Sequence, residues 1–392
     1  MTPDAIPQPG NADPGRFAAR FNDHLSINRL TANLQILDLL TEGFLMNSLS
    51  RRRFFGSAAA AGAAASCPTI LTSRAYAAAP SLVPRKLPFP PNDKFGSYEP
   101  TITADGNTIY FARFGNNGDT RVKGPTDLFV THRVRQSGEW PGTAEDWSSP
   151  ERLPDTVNSD SVDQEPWITP DGNTLYFMSA RKAPGVGPVG IWATHKQPDG
   201  GWDQAQPVAG GNINVSDYRT HCFMPFDLPG QPGAMCFVSI RPREPGAPNT
   251  TDLYTTRQVD GVWQPAQRYA DRLLDSIAYK CRFSPVTVDD VTLGIVSVHD
   301  FGKFHTMLFV QYDPKSATWK GPIVEAPFND WNIDGACPNF QANGERMIWS
   351  AGYDHGPDLI SGGSNGAGGL YDLFWLPTSE LVAYYKARAG IG

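Results

Sequence analysis

Apolar and polar positions alternate along residues 98–113 (YEPTITADGNTIYFAR) and again along residues 164–181 (QEPWITPDGNTLYFMSAR). In both stretches a short run ends at Asp-Gly and a second alternating run follows, the pattern of two antiparallel strands joined by a tight turn. Three degraded copies follow, starting near Cys222, near Cys281 and at Pro338 with its Asn343-Gly344 turn. Each copy continues through a Gly- and Pro-rich loop into a third apolar run: 127–130, 191–193, 252–254, 307–310 and 371–374. In the first four copies a Trp marks a fourth strand: Trp147, Trp202, Trp263 and Trp319. Four strands in a repeat of about 55–65 residues predict a β-propeller blade, because one such sheet cannot bury both of its apolar faces alone.

The predicted fold is therefore all-β, a five-bladed propeller of four-stranded blades over residues 78–378, with a short helix-like tail at 379–392. The fifth repeat lacks a Trp-marked strand of its own. Residues 82–87, followed by Asn92, read like residues 147–153 followed by Asn158. The N-terminal stretch is accordingly expected to supply the missing strand and close the ring, which removes a free sheet edge.

Composition agrees with many turns and few helices: 38 Gly and 35 Pro in 392 residues, with 19% charged. The formal charge of −7 and the lack of a basic stripe argue against nucleic acid as a partner. Ahead of the repeats, Ser50-Arg51-Arg52-Arg53-Phe54-Phe55 precedes an Ala-rich run at 57–66 and the small-residue pattern Ala75-Tyr76-Ala77. Residues 46–77 read as a twin-arginine signal peptide cleaved after Ala77, which predicts a periplasmic or secreted protein. The apolar run is too short and too weak for a stable membrane span. Cys67 lacks the large aliphatic residue three positions earlier that would mark a lipidation site. Residues 1–45 form an extension outside the fold, with Met46 as an alternative start.

The pattern E-P-x-I-T-x-D-G-N-T-x-Y-F, continued by D-L-F or D-L-Y, resembles the WD-like Asp-Gly propeller repeat of TolB-like exported bacterial proteins. The resemblance covers nearly all of residues 78–378. Repeats three and four depart from it, with Leu228-Pro229-Gly230 and Thr287-Val288-Asp289 in place of Asp-Gly. It implies a propeller and leaves function open, since such folds bind, dock and catalyse. Residues 78–98 leave no room for a TolB-type α/β domain, so that partner role is not implied.

In a propeller the first strand of each blade lines the central channel. The loops leading into first strands and out of second strands open on one face, where a funnel forms. Around it the repeats place Asp163, Glu165, Asp334, His221 and His299 as catalytic candidates. Glu99, Arg113, Arg181, Arg219, Arg241, Lys280, Asp300 and Tyr353 are the ligand-binding candidates. Arg forks suit anionic groups and paired carboxylates suit acid–base work. Structural roles compete: the three repeat-related Arg residues as blade-to-blade ion pairs, and Glu99 and Glu165 as partners of a neighbouring blade's backbone. His132 and His195, in Thr-His-Arg and Thr-His-Lys, read as surface residues, and the Trp series as packing anchors.

Cys222, Cys236, Cys281 and Cys337 lie in the exported part. Repeat register puts Cys281 at the position of Pro166 and Cys337 at that of Glu165, so the two are expected to face each other across a blade interface as a thiol pair or a disulfide. With His221 nearby a soft-metal site is conceivable, but the spacing follows no ligand motif and no metal is assigned. No cofactor is readable. No nucleophile elbow, phosphate loop, Cys-x-x-Cys or His-Glu-x-x-His occurs. The expected function is an exported, monomeric binding protein that holds a small polar or anionic molecule, a glycan or a protein partner at the channel mouth. The alternative is a carbohydrate-active enzyme, a glycoside hydrolase or a lyase, with its site in the same funnel.

Overall fold

The computed structural model describes residues 70–71, 81–243, 251–277, 280–300, 303–328, 333–353 and 371–391; for 70–71, 299–300, 303–305, 333–336 and 353 the description is of the backbone alone. The chain divides into two units, residues 1–61 and Gly62–Gly392, and every element below belongs to the second. The predicted extension and the twin-arginine motif lie outside the described residues.

Five antiparallel blades make a propeller. Blade one is Tyr98–Ile102, Thr108–Phe114, Thr126–His132 and Glu151–Arg152. Blade two is Asp163–Ile168, Thr174–Ser179, Gly190–His195 and Gln206–Pro207. Blade three is Thr220–Pro225, Ala234–Ser239 and Asp252–Val259, with Val262–Trp263 and Gln267–Arg268 both pairing on its third strand. Blade four is Lys280–Val288, Val291–Asp300, Lys303–Asp313 and Thr318–Glu325. Blade five is Ile333–Phe340, Arg346–Tyr353 and Tyr371–Pro377, completed by Arg85–Lys86 from the start of the domain. Arg85 and Lys86 pair with Trp375 and Phe374, so the ring closes as the repeat predicts.

Side chains explain why the repeats fold alike. In blades one and two the turn aspartate accepts from a threonine hydroxyl two residues before it and from the backbone two residues after it. Gly106 and Gly172 then take φ of 73° and 72°, which L side chains resist. An asparagine clamps three of the outer strands in the same way. Asn158 bonds both backbone groups of Leu128 and the carbonyl of Leu153. Asn214 does so with Ile191 and Val208. Asn92 does so with Leu373 and Leu87, across the closure.

Apolar faces pack blade on blade. Ile102, Ile109 and Phe111 of blade one share a core with Ile348 and Leu373 of blade five. Blades two, three and four share another, in which Tyr176, Phe223, Phe283 and Trp319 are buried. Trp147 and Trp319 are buried anchors, in keeping with the packing role read from the repeats. Two helices accompany the blades. Helix α1 (Arg272–Ser276) precedes blade four, capped by Asp271. Helix α2 (Thr378–Ala389) is the predicted tail, and it packs Leu381, Tyr384 and Tyr385 into the core of blades four and five. Ile70–Leu71, inside the predicted signal segment, lies parallel to Ile323–Val324 at the outer edge of blade four.

Candidate functional site

Every first strand carries a β-bulge close to the axis. In four blades the first bulged residue is left-handed: Glu99 (φ 52°), Glu165 (55°), Cys222 (55°) and Cys337 (57°). Such a conformation costs roughly 1–2 kcal/mol in a non-glycine residue, and bulges with this property re-aim side chains. In blade four the shift falls one residue earlier, between Lys280 and Arg282, and Arg282 takes the equivalent place. The result is a buried ring of Glu99, Glu165, Cys222, Arg282 and Cys337 at the floor of the channel.

Hydrogen bonds run around this ring from blade to blade. The Glu165 N–H donates to Glu99 Oε2 at 2.8 Å, and the Cys222 N–H donates to Glu165 Oε2 at 2.6 Å. The Cys337 thiol donates to Glu99 Oε1 at 3.1 Å, and Arg282 Nη1 donates to the Cys337 carbonyl at 3.1 Å. Glu165 Oε1 lies 3.2 Å from His221 Nδ1, which is also 3.3 Å from Cys222 Sγ. Both glutamates thus bond the backbone of the next blade, the structural role that the sequence offered against catalysis. Burial, joined by Cys337 and Glu165, holds the Glu99 carboxyl well above the usual carboxylate range, against the pull of Arg282. Burial would raise Glu165 too, but His221, Arg282 and the Cys222 N–H outweigh it and bring that carboxyl below its ordinary value. Burial pushes the Cys222 thiol well up. Arg282 has no exposed surface, and no partner among the described residues takes its Nε or Nη2.

One residue nearer the mouth, Tyr98, Gln164, His221 and Cys281 are half-buried. Tyr98 belongs to a cluster of half-buried rings. Its centroid is 4.6 Å from Tyr371 and 5.2 Å from Phe114, which ends the second strand of blade one. All three lie at strand ends on the face where first strands begin. The repeat pattern did not single out these rings or Arg282, although both depart from it: Tyr98 stands where repeat two has Gln164, and Arg282 where it has Glu165.

The other sequence candidates have different fates. Asp163 is fully buried; its Oδ2 accepts from Ser159 and its Oδ1 from Arg181 at 2.7 Å, while burial raises its proton affinity. Arg113 is fully buried against Asp93, Asp119 and the Gly96 carbonyl, so it faces no ligand. Arg181 and Arg241 bond the carbonyls of Val157 and Ile213 in the loops that lead into their own blades. All three guanidiniums stack on aromatic rings, and Arg113, expected among the ligand contacts, has no exposed surface, whereas Arg181 and Arg241 are half-buried. Lys280 is likewise buried, with Nζ on the carbonyls of Leu274 and Ile277. Arg219 is half-buried at the start of blade three. Asp334, His299, Asp300 and Tyr353 end strands of blades four and five on the mouth face, and their side chains lie outside the described residues. His132 and His195 are exposed beside Thr108 and Thr174.

The cysteine register needs correction. Cys281 falls at the position of His221 and Gln164, not that of Pro166, because the bulge of blade four comes early. All four cysteines are free, and Cys281 contacts Ser297 instead of Cys337. The Cys337 thiol donates to Glu99 instead. Nor did spacing reveal that Glu165, His221 and Cys222 bring their donor atoms within 4.8 Å of one another.

No family model matches this chain, and no curated protein matches it in sequence. Several solved structures are similar to it. An α-L-arabinofuranosidase from Lactobacillus brevis has 10% identity and a TM-score of 0.45 over 72% of this chain and 91% of its own. Native arabinanase from Bacillus subtilis has 13% identity and 0.42 over 72% and 96%. The catalytic domain of an α-L-arabinofuranosidase from Coprinopsis cinerea has 12% identity and 0.41 over 75% and 95%.

Proposed function

We propose that this protein engages carbohydrate at the mouth of the propeller channel. The observation that carries the reading is the half-buried cluster of Tyr98, Phe114 and Tyr371 on the mouth face, with Gln164 and His221 at the level of Tyr98. A sugar ring presents an apolar face of C–H groups and a rim of hydroxyls, so aromatic surface with a few converging polar groups is the lining it calls for.

Two versions of this reading differ in chemistry. Cleavage is favoured by the floor carboxyls: burial makes Glu99 hold its proton more tightly than an ordinary carboxyl, while His221 and Arg282 make Glu165, in the next blade, hold its own less tightly, the direction of difference between acid and base that glycoside hydrolysis uses. Binding alone is favoured by the engagement of every Glu99 and Glu165 oxygen with a neighbouring group. Calorimetry against arabinan, galactan and xylan oligosaccharides, run alongside assays for released reducing ends, separates the two. Tyr98→Ala is expected to weaken binding about tenfold, the value of one aromatic contact. Glu99→Gln is expected to abolish release and spare binding if the bound glycan is cleaved. Failure of every glycan to bind would overturn the reading. We also propose that the protein works outside the cytoplasm, on the strength of the Arg51-Arg52 signal.

A further inference from the structure

The floor of the channel gathers donor atoms suited to a metal ion. Glu165 Oε1 and His221 Nδ1 are 3.2 Å apart, His221 Nδ1 and Cys222 Sγ are 3.3 Å apart, and all three donors lie within 4.8 Å of one another. Tetrahedral zinc, with Zn–S about 2.3 Å and Zn–N or Zn–O about 2.0–2.2 Å, sets its ligands about 3.4–3.8 Å apart. Three such donors leave the fourth tetrahedral position to a water or to a ligand from the funnel. We propose that Glu165, His221 and Cys222 bind one thiophilic divalent transition-metal ion of the zinc class, which ties blades two and three together at the axis.

Outer contacts are already in place to orient these ligands. Glu165 keeps Oε2 on the Cys222 N–H, which leaves Oε1 for the metal. Charge balances as well. One proton leaves the Cys222 thiol, and the negative charges of Cys222 and Glu165 then meet the two positive charges of the metal. The His221 side chain, 18% exposed, gives the ion a route from the funnel. The inference does not rest on the carbohydrate reading, is compatible with its binding form, and excludes Glu165 as the base of its cleaving form.

The test uses the mature exported protein with no glycan present, so a failed glycan assay leaves it untouched. The protein is stripped with chelator and titrated with Co²⁺. One equivalent is expected to bind and to give thiolate-to-cobalt charge-transfer absorption. Cys222→Ser should remove that band, and Cys281→Ser should leave it unchanged. Cadmium-113 NMR of the unmutated protein counts sulfur ligands without relying on any variant to fold, and one is expected. A cadmium signal with no sulfur ligand, failure to bind one equivalent, or a Cys222–Cys337 disulfide in the exported protein would overturn the proposal.

Discussion

Glu99 is nearly inaccessible, yet its two oxygens serve two other blades, through the Glu165 N–H and the Cys337 thiol. Glu99→Ala would leave both donors without a partner in a dry site, and a buried donor left unmade costs about 1–3 kcal/mol. Glu99→Gln keeps a carbonyl oxygen for the backbone N–H and should lose the smaller part of that. Urea unfolding of the two variants against the wild type gives the comparison, and equal midpoints would remove the blade-to-blade role of this side chain. Lys280 offers a pH test. Burial brings its ammonium down to about 8, against the pull of Asp252 and Asp275, whereas an unfolded lysine titrates near about 10.4. Between those values the unfolded chain binds the extra proton, so this residue makes stability rise with pH across that window. The difference between wild type and Lys280→Met, measured by denaturation from pH 7 to 10.5, should therefore move in favour of the wild type as pH increases.

At the scale of elements, the two-residue strand Arg85–Lys86 has an effect out of proportion to its length. It completes blade five, and the stretch around it buries Leu82 and Leu87, each 2% exposed. Asn92 also anchors to the Leu87 carbonyl. Deleting residues 81–88 should thus lower the melting temperature more than deleting residues 388–392. The latter removes the buried Arg388 from the face of Tyr384 but leaves Tyr384 and Tyr385 on the carbonyls of Glu325 and Pro322. Equal melting temperatures would mean that the ring does not depend on its N-terminal strand. The early bulge of blade four acts at the same scale. Shifting the irregularity by one residue places an arginine in a ring otherwise made of two carboxyls and two thiols.

For the molecule as a whole, export through the twin-arginine route would deliver a folded ring, which suits a domain whose last blade requires its first strand. Arg51→Lys together with Arg52→Lys is expected to hold the precursor in the cytoplasm, as read by fractionation and intact mass. Mature protein beyond the inner membrane in that variant would sink the assignment. Cleavage after Ala77 would remove Ile70–Leu71 and leave blade four with its own four strands, the number blades one, two and five have. Among the described residues no helix is long and apolar enough to cross a membrane.

The architecture was legible in the sequence because it rests on local, repeated signals. Period-two alternation, Asp-Gly turns and the spacing of Asn158 from Leu153 each act within one stretch of chain, which is enough to read them; Asn92 was read by its likeness to Asn158. Blade number and closure followed from counting those signals. Chemistry at the axis was not legible in this way. Glu99, Glu165, Cys222, Arg282 and Cys337 come from five blades, and their neighbours are fixed by the ring, not by spacing along the chain. One early bulge moved Cys281 away from Cys337 and brought Arg282 into the ring, a shift of a single residue that alternation cannot register. The arginines at 113, 181 and 241 show the same limit from the other side. Their recurrence was visible, but whether a guanidinium faces solvent or is spent on carbonyls and carboxylates depends on the loops packed over it, which only the folded chain supplies.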